Sequence, residues 1–517
     1  MSTIGLSSAL GRTHPAVVSR RRHDLLVAGS AGALAAAIGL GIALDVPNPN
    51  FFLAAGILVG AVGLIALAAS ARYEVTLALL ALYLGMVDGV IKLETASQAA
   101  SSIRDILIAT ICVGALVRLA ARRERVRFPP LSGWVIAYVA LVLVEAANPN
   151  THGILKIIGG FRQQLEWIPF FFFGYLVMRS KERFRGFFLI LGVVALANGL
   201  VGAVQTQLTP TQLSSWGPGY AQRVNGTDIA ARAFTDSEGV ERVRPPALGS
   251  DEGFGGAVGV MALSGALVLL ATGRLHRRWP ALLLCLGAVL AIATSESRTS
   301  VLGGVFALLA FALLSFSAGR RATRALIALL VAGTLAFALA SVLVPAAGKG
   351  VFDRYASIAP DKAASTSVNY REGDLAEIPS DIRNDPFGQG LATTAAATGF
   401  GGESGALIEG RRASAESQYN YITLELGLAG LLLWIALSVK VIVLGVRRLR
   451  RIGDIELRLS LAAIFATLIA FTIMGFSGPT TSSIPFGPFF WFAVGIAAYW
   501  FSDGREREQA VLQANPI

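Results

Sequence analysis

Apolar residues in this chain come in blocks of about twenty, almost free of polar interruptions, and the blocks are separated by short turns rich in Arg, Gly and Pro. At about 1.5 Å of rise per residue, roughly 20 apolar residues cross the ~30 Å of hydrocarbon in a bilayer, so each block predicts a membrane-crossing helix. Fourteen blocks fit: 25–44, 51–70, 74–91, 105–120, 131–148, 165–178, 187–207, 253–272, 279–294, 301–317, 325–343, 420–446, 459–476 and 486–502. The first has no convincing small-residue cleavage site and stays apolar throughout, which predicts an uncleaved anchor. An even number of crossings brings both termini to one side. The expected fold is therefore all-α: a polytopic integral membrane protein of about 14 transmembrane helices. Tails cover 1–24 and 503–517, helices 1 to 7 cover 25–207, helices 8 to 11 cover 253–343 and helices 12 to 14 cover 420–502. Two long polar segments, 208–252 and 346–418, fall on the side away from the termini; loops of this length are usually functional or disordered.

Composition agrees with a bilayer protein and charge orients it. Of 517 residues, 54% are hydrophobic and only 15% charged, against about 25% charged in soluble domains. The formal net charge of +11 invites a nucleic-acid reading, but the basic residues sit in short turns such as Arg122–Arg127, Arg179–Arg185 and Arg447–Arg451. Most of them fall on the face holding the termini. This positive-inside bias makes that face, and both termini, cytoplasmic, and the expectation is no nucleic acid. Cys112 and Cys285 both lie inside apolar blocks and read as small core residues. His14, His23 and His276 are expected on the cytoplasmic side and His152 in a polar turn, NPNTHG. No spacing of ligands suggests a metal, no glycine-rich phosphate loop ends in Lys-Ser or Lys-Thr, and no cofactor is expected.

The candidate chemistry gathers at the outer ends of four inward-running helices. TSESRTSVLGG (294–304) puts Arg298 at the N-terminus of the helix expected from 301, with Ser297, Thr299 and Ser300 as candidate caps. Free N–H groups and the positive end of the helix dipole there suit an anion. Arg162 in GGFRQQLEW precedes the block at 165, Arg244 in ERVRPPALGSDEGFG precedes the one at 253, and Glu416 in AESQYNYITLELGLAG precedes the one at 420. Two readings stand: an anion site at the outer face, or local ion pairs of Arg298 with Glu296, Arg162 with Glu166, and Arg244 with Asp251 or Glu252. Ionisable groups near hydrocarbon tend to be functional.

Together these motifs resemble the O-antigen ligase and polysaccharide polymerase superfamily. SESRTSVLGG is similar to the Ser-Arg signature that opens an apolar helix in that family. DPFGQGLA (385–392) is similar to its Pro-x-x-Gly-x-Gly step, with Arg371 fifteen residues before Pro386. ESQYNYITLELGLAGLLLW resembles the segment carrying a His-Asn pair ahead of Glu-x-Gly, and RPPALGSDEGFGGAVG the Arg-bearing segment before the mid-chain helix. The resemblance runs in order from about 160 to 500. One departure matters: the ligase histidine position falls on Glu416 and its asparagine partner on Ser417, which favours a polymerase over a ligase. Glycines in DPFGQG and in Glu425-Leu-Gly427 also admit a purely structural reading, since Gly supplies positive φ and close approach.

The resemblance implies a metal-independent glycosyltransferase of the GT-C type in the bacterial cytoplasmic membrane, working in polysaccharide biosynthesis for the cell envelope. Its donor would be a glycan on undecaprenyl or another polyprenyl diphosphate, and its acceptor a glycan or lipid hydroxyl. Partners would be membrane lipids and other components of a polysaccharide assembly system. Glu416 would be the catalytic base, and Arg298, Arg244, Arg162 and Arg371 would bind the diphosphate. The rival class is a lipid-linked oligosaccharide flippase or other multi-pass transporter, which predicts charged or broken helices near the midplane; here Lys440 is the chief charge inside a block.

Overall fold

The computed structural model describes residues 63–64, 66–68, 70, 72–96, 98–121, 128–151, 153–225, 233–235, 241–251, 253–273, 278–315, 375–394, 417–480 and 483–501. The chain forms two compact units, Met1–Leu77 with Ile103–Arg127, and Ala78–Ser102 with Phe128–Ile517. In the first, Thr76 Oγ1 donates to Ser70 Oγ at 3.4 Å. The second carries everything that bears on function.

Helices dominate. In chain order they are α1 (Tyr73–Thr95, with a π turn at Tyr83–Val87), α2 (Gln98–Ala121), α3 (Ser132–Glu145), α4 (Ile154–Leu165), α5 (Pro169–Val177) and α6 (Lys181–Gln205). The short α7 (Pro210–Ser214) and α8 (Pro218–Asn225) follow, then a hairpin of β1 (Ala233–Thr235) and β2 (Glu241–Val243), with Ala233 opposite Val243. After it come α9 (Phe254–Thr272), α10 (Arg278–Thr294), α11 (Arg298–Ser315), α12 (Ile378–Asn384), α13 (Gln418–Arg448), α14 (Ile455–Met474) and α15 (Phe486–Trp500).

The helical membrane class expected from the pattern is what the structure has, with one short β hairpin beside the helices. Among the described residues six helices are long and apolar enough to cross a bilayer: Tyr73–Thr95, Lys181–Gln205, Phe254–Thr272, Arg298–Ser315, Gln418–Arg451 and Ile455–Ser477; α3, α10 and α15 are apolar and shorter. The expected spans 25–44 and 325–343, and most of 51–70, lie outside the described residues. The expected span 165–178 is corrected outright. Pro169 opens a helix of only 9 residues, α5, and Arg162 sits inside the separate helix α4 instead of ahead of a span. Proline favours a first helical turn because it has no N–H to donate.

The helices approach closely where side chains are small. α9 packs on α10, α10 on α6, α11 on α14, and α5 on α15. A Cβ on Gly174 of α5 would strike the carbonyl oxygen of Phe492 in α15, and one on Gly495 of α15 would strike that of Phe171 in α5. In lipid, where tails are as apolar as leucine, such backbone proximity and the dispersion contacts it allows are what hold helices together.

Two ends of the bundle differ in chemistry. At one, Arg185 forms a two-point ion pair with Glu456, Lys181 reaches Asp454 at 3.3 Å and Arg448 donates to the carbonyl of Phe501 at 2.6 Å. Arg179 there lies between the Tyr175 and Tyr499 rings, 5.3 and 5.0 Å from their centroids. At the other end α9, α11 and α13 begin. The polar stretch 208–252 has structure of its own, because Leu213, Tyr220 and Val224 form a small apolar core with Leu93 of α1 and with Leu208.

Candidate functional site

α13 is broken early in its course, and the break organises the site. Gly427 has φ 61° and ψ −160°, a conformation essentially closed to any residue with a Cβ. Interrupting the helix releases backbone groups that hydrocarbon cannot solvate, so something inside the protein must pair with them. The segment after α12 does so: Leu428 N–H donates to Pro386 O at 3.0 Å, and Gln389 N–H donates to Leu424 O at 2.6 Å. Gly388 and Gly390, both at φ 88°, let this strand-like piece lie directly on the break, where a Cβ on Gly388 would meet the Glu425 carbonyl oxygen at 2.6 Å. The glycines of the DPFGQG and Glu-Leu-Gly motifs thus have a structural role.

Two residues before the break, Glu425 is fully buried, with 0% of its surface exposed. Its carboxyl oxygens accept four hydrogen bonds: from Gln163 Nε2 at 3.1 Å, Gln164 Nε2 at 2.8 Å, Thr394 Oγ1 at 2.9 Å and Thr394 N–H at 3.2 Å. Gln164 Nε2 also donates to the Tyr421 hydroxyl at 3.0 Å, while Gln164 Oε1 accepts from the Tyr138 hydroxyl at 2.5 Å. Gln163 Nε2 reaches Thr394 O at 3.2 Å, and the buried Lys156 donates to Ala392 O at 3.4 Å. Tyr138 closes the network against Trp491 and Trp434, at ring separations of 5.6 and 6.1 Å. A buried carboxylate is tolerable only with this degree of hydrogen bonding.

A second cluster lies where α9 and α11 begin. Ser297 caps α11, its hydroxyl accepting from Ser300 N–H at 3.3 Å, as the sequence led one to expect. α11 starts at Arg298 itself, just after Glu296 in a left-handed conformation. α9 starts beside it: a Cβ on Gly253 would lie 3.2 Å from Ser297 Oγ, and one on Gly256 would collide with the hydroxyls of Ser295 and Ser300. Ser477, after α14, donates to Thr299 Oγ1 at 3.2 Å. Nearby, Thr480 donates to Gln418 Oε1 at 3.3 Å, and Ser417 caps α13 by accepting from Asn420 N–H at 3.1 Å. The stretch that carries Arg244 into α9 is clamped from α6. Gln205 accepts from Ala247 N–H at 2.8 Å and donates to Ala247 O at 3.1 Å, and Asn198 Oδ1 accepts from Leu248 N–H at 3.1 Å. The N-termini of α9 and α11 thus form one mouth with a rim of hydroxyls; Arg298 is the first residue of α11, and Arg244 lies in the stretch that leads into α9.

Of the predicted site residues, Arg298 begins α11 and Arg244 lies in the stretch before α9, both partly buried with their Nε atoms shielded from solvent. Arg162, likewise shielded at Nε, belongs to α4 beside the Glu425 network. Glu416 and Arg371 lie outside the described residues. Among the described residues no group of three or more His, Cys, Asp or Glu is arranged to hold a metal ion.

Helices of membrane-crossing length, a re-entrant glycine-rich segment and an arginine-bearing mouth define a membrane protein with a built polar site at one end of its bundle. Residues 282–435 match the family model described as O-antigen ligase; this part of the chain is similar to that family, which supports a membrane enzyme of glycan ligation or polymerisation. The matched stretch includes Arg298, the Pro386–Gly390 step, Glu425 and Gly427. No curated protein matches the chain.

Sequence reasoning missed the network around Glu425 because its members are scattered: Tyr138, Gln163, Gln164, Thr394, Tyr421 and Glu425 share no local motif. One signal was available. In ILKIIGGFRQQL, Lys156, Gly159, Gly160, Gln163 and Gln164 recur at the spacing of one helix face, and all five are buried while Ile154, Leu155 and Ile158 are exposed. A helix with its polar face inward and its apolar face outward is what lipid on one side and a polar interior on the other require.

Proposed function

We propose that this protein is a glycan polymerase of the cytoplasmic membrane. It transfers a polyprenyl-diphosphate-linked oligosaccharide or polysaccharide to an acceptor hydroxyl on the outer side. The observation that carries the reading is the shared mouth of α9 and α11, with Arg298 the first residue of α11 and Arg244 in the stretch that leads into α9. The end of the bundle rich in Arg179, Lys181, Arg185, Arg448 and Arg451 is the cytoplasmic one under the positive-inside rule, so the mouth opens outward, where a lipid diphosphate lies once flipped.

In the reaction the acceptor oxygen bonds to the anomeric carbon of the donor sugar and the bond from that carbon to the diphosphate oxygen breaks. The hydroxyl proton passes to a base, and the polyprenyl diphosphate leaves with increased negative charge. Fixed guanidinium groups and two helix N-termini stabilise that charge without a metal, because their dipoles are oriented before the charge develops. Glu416, one residue before the cap of α13, is the proposed base. Arg371 in the same long loop is a further proposed diphosphate ligand. Polymerase is favoured over ligase because Glu416 and Ser417 stand where ligases of the family carry His and Asn.

The test is transfer by the purified protein in lipid nanodiscs, given polyprenyl-diphosphate-linked repeat units alone. A polymerase makes chains of many units; a ligase makes none until a different acceptor is supplied. Arg244→Ala and Arg298→Ala should each abolish chain growth, with expression and membrane insertion unchanged. Full chain growth in both variants would overturn the assignment of the diphosphate site.

A further inference from the structure

We infer that Glu425 is a positioning residue that fixes the rotation of α4, and with it Arg162, and seats the Pro386–Thr394 segment on α13. Its effect on transfer rests on the reaction proposed above; its effect on the structure does not.

The geometry leads there in three steps. First, the four donors on the Glu425 carboxyl group come from two places far apart in the chain, Gln163 and Gln164 in α4 and Thr394 at the end of the re-entrant segment. One side chain of α13 is therefore the common anchor of both. Secondly, the two glutamines are adjacent, and successive residues of an α-helix point about 100° apart. Holding both on one carboxyl group leaves α4 no freedom to rotate about its axis. Arg162 is the next residue back, so its direction is set by the same lock; a slip of one residue would swing its guanidinium about a quarter of a turn.

Thirdly, the orientation of the Gln164 amide is not free. Its oxygen faces the Tyr138 hydroxyl and its nitrogen faces both Tyr421 and Glu425. The position at 425 must therefore present acceptors only. Glutamine is nearly the size of glutamate, yet it places an NH2 group among donors, and Gln163 and Gln164 are left with only their second acceptors, Thr394 O and the Tyr421 hydroxyl. Leu391 N–H donates to Thr151 Oγ1 at 2.9 Å and Asn148 Nδ2 to Gly388 O at 3.1 Å, so the re-entrant segment keeps other ties when the Glu425 contact is lost. The variant protein should still fold, with the segment loosened.

The experiment uses the full chain in nanodiscs and compares wild type, Glu425→Gln, Gln164→Glu, and the double variant in which the amide and the carboxylate exchange places. Amide hydrogen exchange is read on peptides covering 154–165 and 386–394, with α9 and α14 as internal controls, and the KM and kcat for lipid-linked donor are measured alongside. Glu425→Gln should speed exchange in both peptides by about 10- to 100-fold, the range expected for losing a buried charge-assisted hydrogen bond, while the controls keep wild-type rates. It should also raise donor KM at least about tenfold, since a misdirected Arg162 binds diphosphate poorly. The double exchange should bring exchange and KM back to within about threefold of wild type, because an acceptor again faces a donor. Unchanged exchange in Glu425→Gln, or a double variant no better than the singles, would overturn the inference. If wild type itself transfers no lipid-linked glycan, the functional proposal falls and the exchange data alone decide the role of Glu425.

Discussion

A guanidinium at a helix mouth differs from an ammonium in geometry more than in charge. Its planar fork can hold two oxygens of a diphosphate at once, whereas lysine offers a single compact charge. Arg298→Lys should therefore recover little of the transfer lost in Arg298→Ala, and single-turnover assays with lipid-linked donor would measure the difference; near-wild-type turnover in the lysine variant would mean that charge alone is needed. A different residue-scale prediction concerns α12. Glu377 at its N-cap, Asp381 within it and Asp385 at its C-cap are spaced four apart, and burial, followed by the charges of Glu377 and Asp385, pushes the Asp381 carboxyl group up to about 6. A carboxyl group whose folded value is raised favours the native state when protonated, at low pH. That advantage is lost as pH rises through about 6. At pH 7.5, Asp381→Asn should therefore raise thermal stability, by about 1 kcal/mol once partial exposure is allowed for. Near pH 4 the gain should vanish, and a gain equal at both pH values would show that charge is not its cause.

At the scale of elements, the break in α13 and the segment seated on it form one unit, and glycine chemistry tests it. Gly427→Ala and Gly388→Ala each force a Cβ into a positive-φ backbone and into the other segment, at Pro386 O and Glu425 O respectively. Each should lower stability by about 2 kcal/mol or more. Gly133 of α3 is the control, since nothing lies within 4 Å of a Cβ there; Gly133→Ala should be neutral or slightly stabilising, as alanine suits a helix interior. Thermal unfolding of the three variants in detergent separates the cases. These elements also mark how far the sequence could be read. Long apolar runs declare themselves, so 253–272 and 279–294 were legible to within a residue or so of α9 and α10. The cap at Ser297 was legible too, because a cap is a local pattern. α4 and α5 were not: Pro169 cuts an apolar run whose first part is a polar-cored helix, and hydropathy averaged over a window hides that cut. The partnership of Glu425 with Gln163 and Thr394 was beyond reach, since it is made by the packing of the whole bundle.

For the whole molecule, orientation in the membrane decides whether the proposed site can meet its substrate. Arg447, Arg448, Arg450 and Arg451 lie at the C-terminal end of α13, while its N-terminal end carries the Ser417 cap and joins the α9–α11 mouth through Gln418, Thr480 and Ser477. Basic residues are retained on the cytoplasmic side during insertion because moving them across is costly. By that rule the end with the arginine run is proposed to be cytoplasmic, and the mouth, the stretch 208–252 and the stretch 346–418 are expected outside. An enzyme reporter active only outside the cytoplasm should work when fused at 225 or 365 and stay silent at 182 or 450. Position 225 ends α8, whose apolar face is packed on Leu93, so that fusion should replace the downstream chain, leaving the preceding helices to insert as usual. A reporter active at 450 and silent at 225 would invert the molecule. Arg244 and Arg298 would then face the cytoplasm, where lipid-linked sugars are assembled before they are flipped, and polymerisation on the outer surface could not be the reaction this mouth performs.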